Sequence, residues 1–390
     1  MRRVKLEGIT DGRIDATAAT GLFREPLGVS RGRFERVGRV PNPASGRERL
    51  THQLVSEPPG KALLERFVGA FSALTVRRLS ETTLIATTGR WLLASRDGGE
   101  TWSVRRGLPD SSGPKGVLPT GIARHAGEVY LGEYPLDHDT VPKLLRSRDE
   151  GWTWERVNEF PGVRHLHGVQ SDPYTNDLWV TTGDRDEACR IYRRRDGEWT
   201  VVGSASQRWR AVELAFTPTH VLWGMDSVYS KENHVLKLSR TEIGRAAPEP
   251  VCTLDGSVFY SAALDVGDER WVVFSTSVEP GRDSTAPPES PAGDAGGLAR
   301  VVAASSRTGF TDWHELAAYR RRRSPSERLN PRGILPRSSA YVHLAVDPDR
   351  GVVLNPYNTA RDDGALVVVS PSVFATLSRH SRLEPAVSDG

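Results

Sequence analysis

Two histidines two residues apart, His165 and His167, together with Arg210 and several tyrosines, are the groups in this chain best suited to chemistry. Positions i and i+2 of a strand share a face, so the two imidazoles would present together. Imidazole titrates near neutrality and serves as acid, base or metal ligand. A guanidinium such as that of Arg210 clamps a carboxylate through two parallel hydrogen bonds. Tyr134 and Tyr260 offer phenols able to return a proton. Glu133, Asp184, Gln207, Asp226, Glu279, His343, Tyr357 and Asn358 complete the candidate set as substrate-binding groups. Each has a plainer alternative. The histidines could be a hydrogen-bonded structural pair, Arg210 and Gln207 could bridge neighbouring sheets, and Asp184 could cap a turn. Trp209 and Trp223 read as packing, and Cys189 and Cys252 as inert thiols.

These residues are scattered along the chain, and a repeated turn predicts the frame that gathers them. Ser95-Arg96-Asp97-Gly98-Gly99-Glu100-Thr101-Trp102 and Ser147-Arg148-Asp149-Glu150-Gly151-Trp152-Thr153-Trp154 both read S-x-D-x-G-x-T-W, and each follows a short apolar run. Asp folds its carboxylate onto the backbone donors of the turn, Gly takes a positive φ, and Trp packs back on the sheet. Arg194-Arg195-Asp196-Gly197-Glu198-Trp199-Thr200 is a worn copy, and Ser306-Arg307-Thr308-Gly309-Phe310-Thr311-Asp312-Trp313 one that has lost its Asp. The spacing is close to the roughly 40–50-residue period of four-stranded propeller blades. The chain is therefore expected to be all-β: a single β-propeller of four-stranded antiparallel blades.

Alternating apolar runs give six comparable units, with first strands near 74–78, 121–125, 167–171, 210–216, 260–266 and 341–347. Six blades are favoured and seven possible. The expected organisation is an N-terminal segment, 1–62, with one or more ring-closing strands, a propeller over 63–380, and a tail, 381–390. Two insertions, 280–297 and 320–337, read as loops; the second opens with four consecutive arginines. In this order the starts of first strands and the ends of second strands share one rim, opposite the Asp-containing turns. Every candidate named above falls on that rim.

Composition narrows the function. At 390 residues with a net charge of +3, the chain lacks the basic footprint of a nucleic-acid binder. Two cysteines are too few for a disulfide framework. The basic N-terminus lacks the apolar core of a signal peptide, and no stretch approaches the ~20 apolar residues of a membrane span. A cytoplasmic, soluble protein without nucleic-acid or membrane partners is the expectation.

The two intact octapeptides, with the blade rhythm over roughly residues 63–380, resemble the sialidase-like propellers, whose repeats carry the BNR or Asp-box turn. The nearest fragment to the sialidase Arg-Ile-Pro signature is Arg13-Ile14-Asp15. His165-Leu166-His167-Gly168-Val169-Gln170, Asp172-Pro173-Tyr174 and Thr181-Thr182-Gly183-Asp184 look like a group of bacterial Asp-box proteins labelled glycosyl hydrolases. The resemblance implies action on glycans. Propeller polysaccharide lyases acting on uronate-containing chains likewise use His, Tyr and Arg.

Two chemistries follow. Hydrolysis needs two carboxyl groups, which Glu133, Asp226 and Glu279 could supply. β-Elimination beside a uronate needs a base, an acid and a group to quench the carboxylate. His165 or His167, Tyr260 or Tyr134, and Arg210 with Gln207 fit those roles. A divalent cation in the central channel, held by the histidines and a rim acid, could do the quenching. The sequence thus leans towards an enzyme cleaving an acidic oligosaccharide or polysaccharide by elimination, with a glycoside hydrolase and a non-catalytic glycan- or protein-binding propeller as the alternatives.

Overall fold

The computed structural model describes residues 3–26, 33–230, 232–279, 297–325 and 339–380. Most of the two expected loops and the tail 381–390 lie outside the described residues. The chain folds as seven antiparallel sheets, each with its strands in sequence order. Blade 1 holds β1 (Lys5–Thr10), β2 (Arg13–Ala18), β3 (Gly21–Arg24) and β4 (Glu35–Arg39). Blade 2 holds β5 (Thr75–Arg78), β6 (Leu84–Thr88), β7 (Trp91–Ser95) and β8 (Ser103–Gly107). Blade 3 comprises β9 (Ile122–His125), β10 (Glu128–Gly132), β11 (Lys143–Ser147) and β12 (Glu155–Glu159). Blade 4 comprises β13 (Leu166–Ser171), β14 (Leu178–Thr182), β15 (Arg190–Arg195) and β16 (Glu198–Ser204). Blade 5 follows with β17 (Leu214–Phe216), β18 (His220–Gly224), β19 (Asn233–Ser239) and β20 (Glu249–Leu254), and blade 6 with β21 (Val258–Val266), β22 (Glu269–Thr276), β23 (Leu298–Ser305) and β24 (His314–Arg320). Blade 7 has three strands, β25 (Tyr341–Asp347), β26 (Gly351–Tyr357) and β27 (Val367–Val369).

The blade count is seven, not the favoured six. The N-terminal segment contributes a whole blade rather than a ring-closing strand. Its inner strands escaped notice because they carry charge instead of an apolar rhythm: Lys5, Glu7 and Asp15 are all buried. Between blades 1 and 2 the chain also forms two helices, α1 (Gly46–Ser56) and α2 (Gly60–Val68). A last helix, α3 (Pro371–His380), follows β27 and buries Phe374 against Trp271 of blade 6. Among the described residues no helix is long and apolar enough to cross a membrane.

Burial explains the strand compositions. Second strands lie between neighbouring blades and are apolar on both faces, so β6 and β14 are buried throughout. Outer strands meet water and carry Arg and Glu, as in β8 and β12. The octapeptide turns join third to fourth strands. The Ser95 hydroxyl accepts the Gly99 amide at 2.9 Å, Asp97 accepts the Thr101 amide at 3.0 Å, and the Trp102 indole donates to the Gly99 carbonyl at 3.0 Å. The second copy repeats this, at 2.7 Å for Gly151 onto Ser147 and 2.8 Å for Thr153 onto Asp149 and for Trp154 onto Gly151. Both glycines have positive φ, and a Cβ there would strike the preceding blades, 2.6 Å from Leu22 and 2.3 Å from Ile85. The turns therefore set blade spacing as well as hairpin shape.

Among the described residues no strand is shared across the joint between blades 7 and 1. Side chains close it instead. Asn355, fully buried, accepts the Leu6 amide at 2.9 Å and donates to Val4 and Ala365 carbonyls at 3.2 and 2.8 Å. Arg350 pairs with Asp347 in blade 7 and with Glu25 from blade 1. Asn355→Leu keeps the branched heavy-atom shape and strands buried backbone groups, which costs on the order of 3 kcal/mol. A urea titration of the full chain is expected to show a clearly lowered midpoint; an unchanged midpoint would place the closure elsewhere.

Candidate functional site

Topology puts the connections before each first strand and after each second strand on one rim. There, residues from blades 3, 4 and 5 converge. Tyr134 leaves β10, His165 precedes β13, and His167 lies within it. Asp184 follows β14, Arg210 precedes β17, and Asp226 follows β18. The ladder between β13 and β14 shifts register between Leu166 and Gly168, leaving His167 as a bulge residue. A bulge re-aims its side chain, so the simple i, i+2 geometry does not describe this pair. Space for the His167 ring comes from Gly183, where a Cβ would sit 2.3 Å from its Cε1.

The cluster is dense and charged. Tyr134 stacks on His165 with centroids 3.9 Å apart, and the imidazole centroids are 5.1 Å apart. His165 Nε2 is 3.5 Å from Asp184, and His167 Nδ1 is 3.7 Å from Asp226. Arg210 lies between the two acids, with Nε 3.3 Å from Asp226 and a terminal nitrogen 3.7 Å from Asp184. It also donates to the Asp184 carbonyl at 3.1 Å. Arg164, more exposed, reaches Asp184 at 3.2 Å. Asp184 has φ +91°, strained for a non-glycine residue, and this holds its carboxylate among these cations. Burial alone would raise its pKa, but His165, His167 and Arg210 hold it well below the usual carboxylate range. Burial, with the charges of His165 and Arg210, pushes His167 well down, so it stays neutral.

Access differs sharply within the cluster. His165 and His167 are only 3% and 2% exposed. Tyr134 and Asp184 are half-buried, and Tyr229 stands out in solvent with the Arg210 guanidinium 5.6 Å from its ring centroid. An arriving molecule thus meets Tyr134, Asp184, Arg164 and Tyr229 before the histidines. Burial pushes the nearby Cys189 thiol up to about 12.

The remaining expected residues fall elsewhere or take structural partners. Glu133 is buried and accepts the Lys143 amide at 3.0 Å. Gln207 donates to the Asp184 carbonyl at 3.0 Å and to Asp186 at 2.8 Å. Glu279 accepts from Ser257 at 3.0 Å, close enough for its charge to act on Arg210. Asn358 bridges the Ala70 amide and carbonyl at 2.7 and 2.9 Å, a clamp across the ring joint. Tyr260, His343 and Tyr357 form a second aromatic group with Tyr341; the Tyr260 and His343 rings are 4.7 Å apart. Burial pushes the Tyr260 and Tyr357 phenols well up and His343 well down.

Tyr260 and His343 also line a central cavity of about 270 Å³, beside Glu7, Arg77 and Glu213. Neither histidine of the mouth cluster nor Asp184, Arg210 or Asp226 is part of its wall. The group with the ligands for a cation, His165, His167 and Asp184, therefore belongs to the blade 4 mouth and not to the central channel where one was expected. Glu213, Arg77 and Tyr229 were missed from sequence. Glu213 had a signal: it is an acid inside the apolar stretch Ala211-Val212-Glu213-Leu214-Ala215-Phe216.

No protein family profile and no curated protein matches the chain. Solved structures similar to it include an ancestral GH74 enzyme, at 10% identity over 70% of this chain and 35% of that one, with TM-score 0.47. A GH74 xyloglucanase from Xanthomonas campestris shows 16% identity over 78% of this chain and 45% of that one, TM-score 0.42. A prolyl endopeptidase shows 11% identity over 95% and 50%, TM-score 0.47. The chain thus spans half or less of the length of each. The propeller fold that the sialidase resemblance implied is present; membership of that family is not shown by any of these matches.

Two measurements follow from this geometry. Gly183→Ala drives a methyl group into His167 and into Arg210, whose Cγ would be 2.9 Å away. It is expected to cost about 1–3 kcal/mol and to shift the His167 imidazole resonances, while His125 stays unmoved. Burial lifts the Glu213 carboxyl from 4.5 to about 7. Its folded pKa exceeds its unfolded value, so the folded chain holds the extra proton, and stability falls as pH rises from about 4.5 to about 7. The carboxyl faces a cavity, which moderates the effect to on the order of 2 kcal/mol. Glu213→Gln should flatten that slope in urea titrations; an unaltered slope would assign it to another group.

Proposed function

We propose that this propeller is a carbohydrate-active enzyme that cleaves an acidic, uronate-containing glycan by β-elimination at the mouth of blade 4. The observation that carries the reading is the placement of a half-buried phenol, Tyr134, stacked at 3.9 Å on a buried imidazole beside Arg210. A proton-transfer group stands at the opening, with positive charge directly behind it. Burial takes the histidines out of reach of a polymer, so the expected role of base passes from them to Tyr134.

The step balances without a co-reactant. The carbon bearing the carboxylate gives its proton to the Tyr134 oxygen, in its phenolate form. The released electron pair forms a double bond to the neighbouring carbon, whose bond to the glycosidic oxygen breaks. That oxygen takes the same proton back from Tyr134. Charge building on the carboxylate in the transition state must be met by cationic groups already in place. Arg210 lies on that side, and Tyr229 offers a flat face for a sugar ring.

Hydrolysis fits less well. It requires one carboxyl group kept protonated beside a second that is ionised. Asp184 is held as the anion, Asp226 is paired with Arg210, and Glu133 is turned inward onto Lys143. Tyr134→Phe retains the stack and removes only the oxygen. It is expected to lower turnover of uronate oligosaccharides by roughly 10²-fold or more while leaving far-UV circular dichroism unchanged. The wild-type product should be an unsaturated uronate, seen by its ultraviolet absorption. New reducing ends without that absorption would mean hydrolysis, and wild-type turnover by the Phe variant would remove Tyr134 from the reaction.

A further inference from the structure

His165 Nδ1 is 3.2 Å from the Pro135 carbonyl, and His167 Nδ1 is 3.1 Å from the Ala211 carbonyl. A carbonyl oxygen only accepts, so both Nδ1 atoms carry protons and donate. Nε2 is therefore the nitrogen of each ring left to bind a cation, with release of its proton where the ring carries one there. His165 Nε2 is buried, has no hydrogen-bond partner, and lies 3.5 Å from the Asp184 carboxylate. An imidazole nitrogen and a carboxylate oxygen thus face each other across a gap that a cation between them would bridge.

We infer that His165, His167 and Asp184 form a binding site for one divalent first-row transition ion of the zinc class. One ligand atom from each residue lies within 4.8 Å of the other two. Bonds of about 2.0–2.1 Å in tetrahedral geometry place ligand atoms roughly 3.4 Å apart, so a side-chain shift of an ångström or so closes the site. Two imidazoles and one carboxylate suit zinc, cobalt or manganese better than calcium or magnesium, which prefer oxygen. The carbonyl partners on Nδ1 are the outer contacts that fix a ligating imidazole's tautomer and orientation. Room for the charge exists. Arg210 is faced by Asp226, Asp184 and Glu279, three carboxylates that together exceed its charge and that of Arg164. Three protein ligands leave a position open towards the half-exposed side of Asp184.

The ion's role in turnover rests on the elimination reading: bound at the open position, a substrate carboxylate would have its developing charge quenched by the metal as well as by Arg210. Binding itself does not depend on that reading. Titration of the full, chelator-stripped chain with Zn2+ by calorimetry, and with Co2+ by visible absorption, should give one site per chain. Asp184→Asn and His165→Gln, each checked for fold by circular dichroism, should weaken it by roughly tenfold or more, whereas His125→Ala should not. No uptake by the wild type, or equal uptake by both site variants, overturns the inference. Uronate oligosaccharides presented to metal-free and reloaded protein separate the two proposals. Cleavage by the metal-free chain at the full rate overturns the metal's role and leaves the elimination reading standing. One tightly bound ion with no cleavage supports the metal site and sinks the elimination.

Discussion

A ring of sheets has one joint that the continuous chain does not cross, and here that joint lies between blades 7 and 1. The other blades are tied in sequence by the chain itself. At this one, buried amides do the work of a shared strand: Asn355 holds both Val4 and Leu6, and Asn358 holds both backbone groups of Ala70. Such contacts are directional and exact a desolvation cost if mismatched, so they specify one closure in a way that apolar packing would not. Every inner strand is located by its two neighbours. The mouth cluster, gathered from three blades, therefore inherits its geometry from the closure of the whole ring.

Within the cluster the governing element is Arg210. Its side chain is buried and lies between Asp184 and Asp226, whose charges stabilise it against burial. Removing one member of such a set leaves an uncompensated buried charge, so the arrangement is rigid by necessity. The proposed elimination would ask that rigidity of Arg210, because a cation that stabilises a transition state must already point at the place where charge develops. The strained φ of Asp184 and the bulge at His167 serve the same end, each bending the backbone so that a side chain meets Arg210.

Much of the frame was legible in the sequence. The two octapeptides adopt the turn their residue types dictate, and β7, β11, β14, β25 and β26 begin and end where the apolar alternation does. The rim assignment followed from strand order alone, and Tyr134, His165, His167, Asp184, Arg210 and Asp226 do meet there. What stayed hidden has a common cause. Blade 1 buries Lys5, Glu7 and Asp15 through ion pairs with Glu7, Arg78 and Arg24, so its strands look polar. Tyr260 and His343 share the rim logic but face the central cavity, because blade position around the ring is not encoded in residue spacing. Tyr229 is held outward by a loop in which Ser227 accepts the amides of Tyr229 and Ser230, a local device with no repeat to betray it.

The separation of the central cavity from the blade 4 mouth bears on how this fold divides its labour. The cavity collects Glu7, Arg77 and Glu213 among inner strands that press on one another, and there burial dominates: Arg77 is pushed down and Glu213 up. Glu7 is fully engaged, by Lys5, Thr17 and the Val76 amide, and so acts as a spacer between blades 1 and 2. The mouth, in contrast, lies where connections spread apart, and its charges run from half-buried Arg164 and Asp184 to buried Arg210. That arrangement keeps the innermost guanidinium away from bulk water, between the carboxylates of Asp184 and Asp226. At the axis each group already has a structural partner, Arg77 on the Pro119 carbonyl and Glu213 on the Ser261 amide, and this is why the elimination proposed above is placed at the mouth.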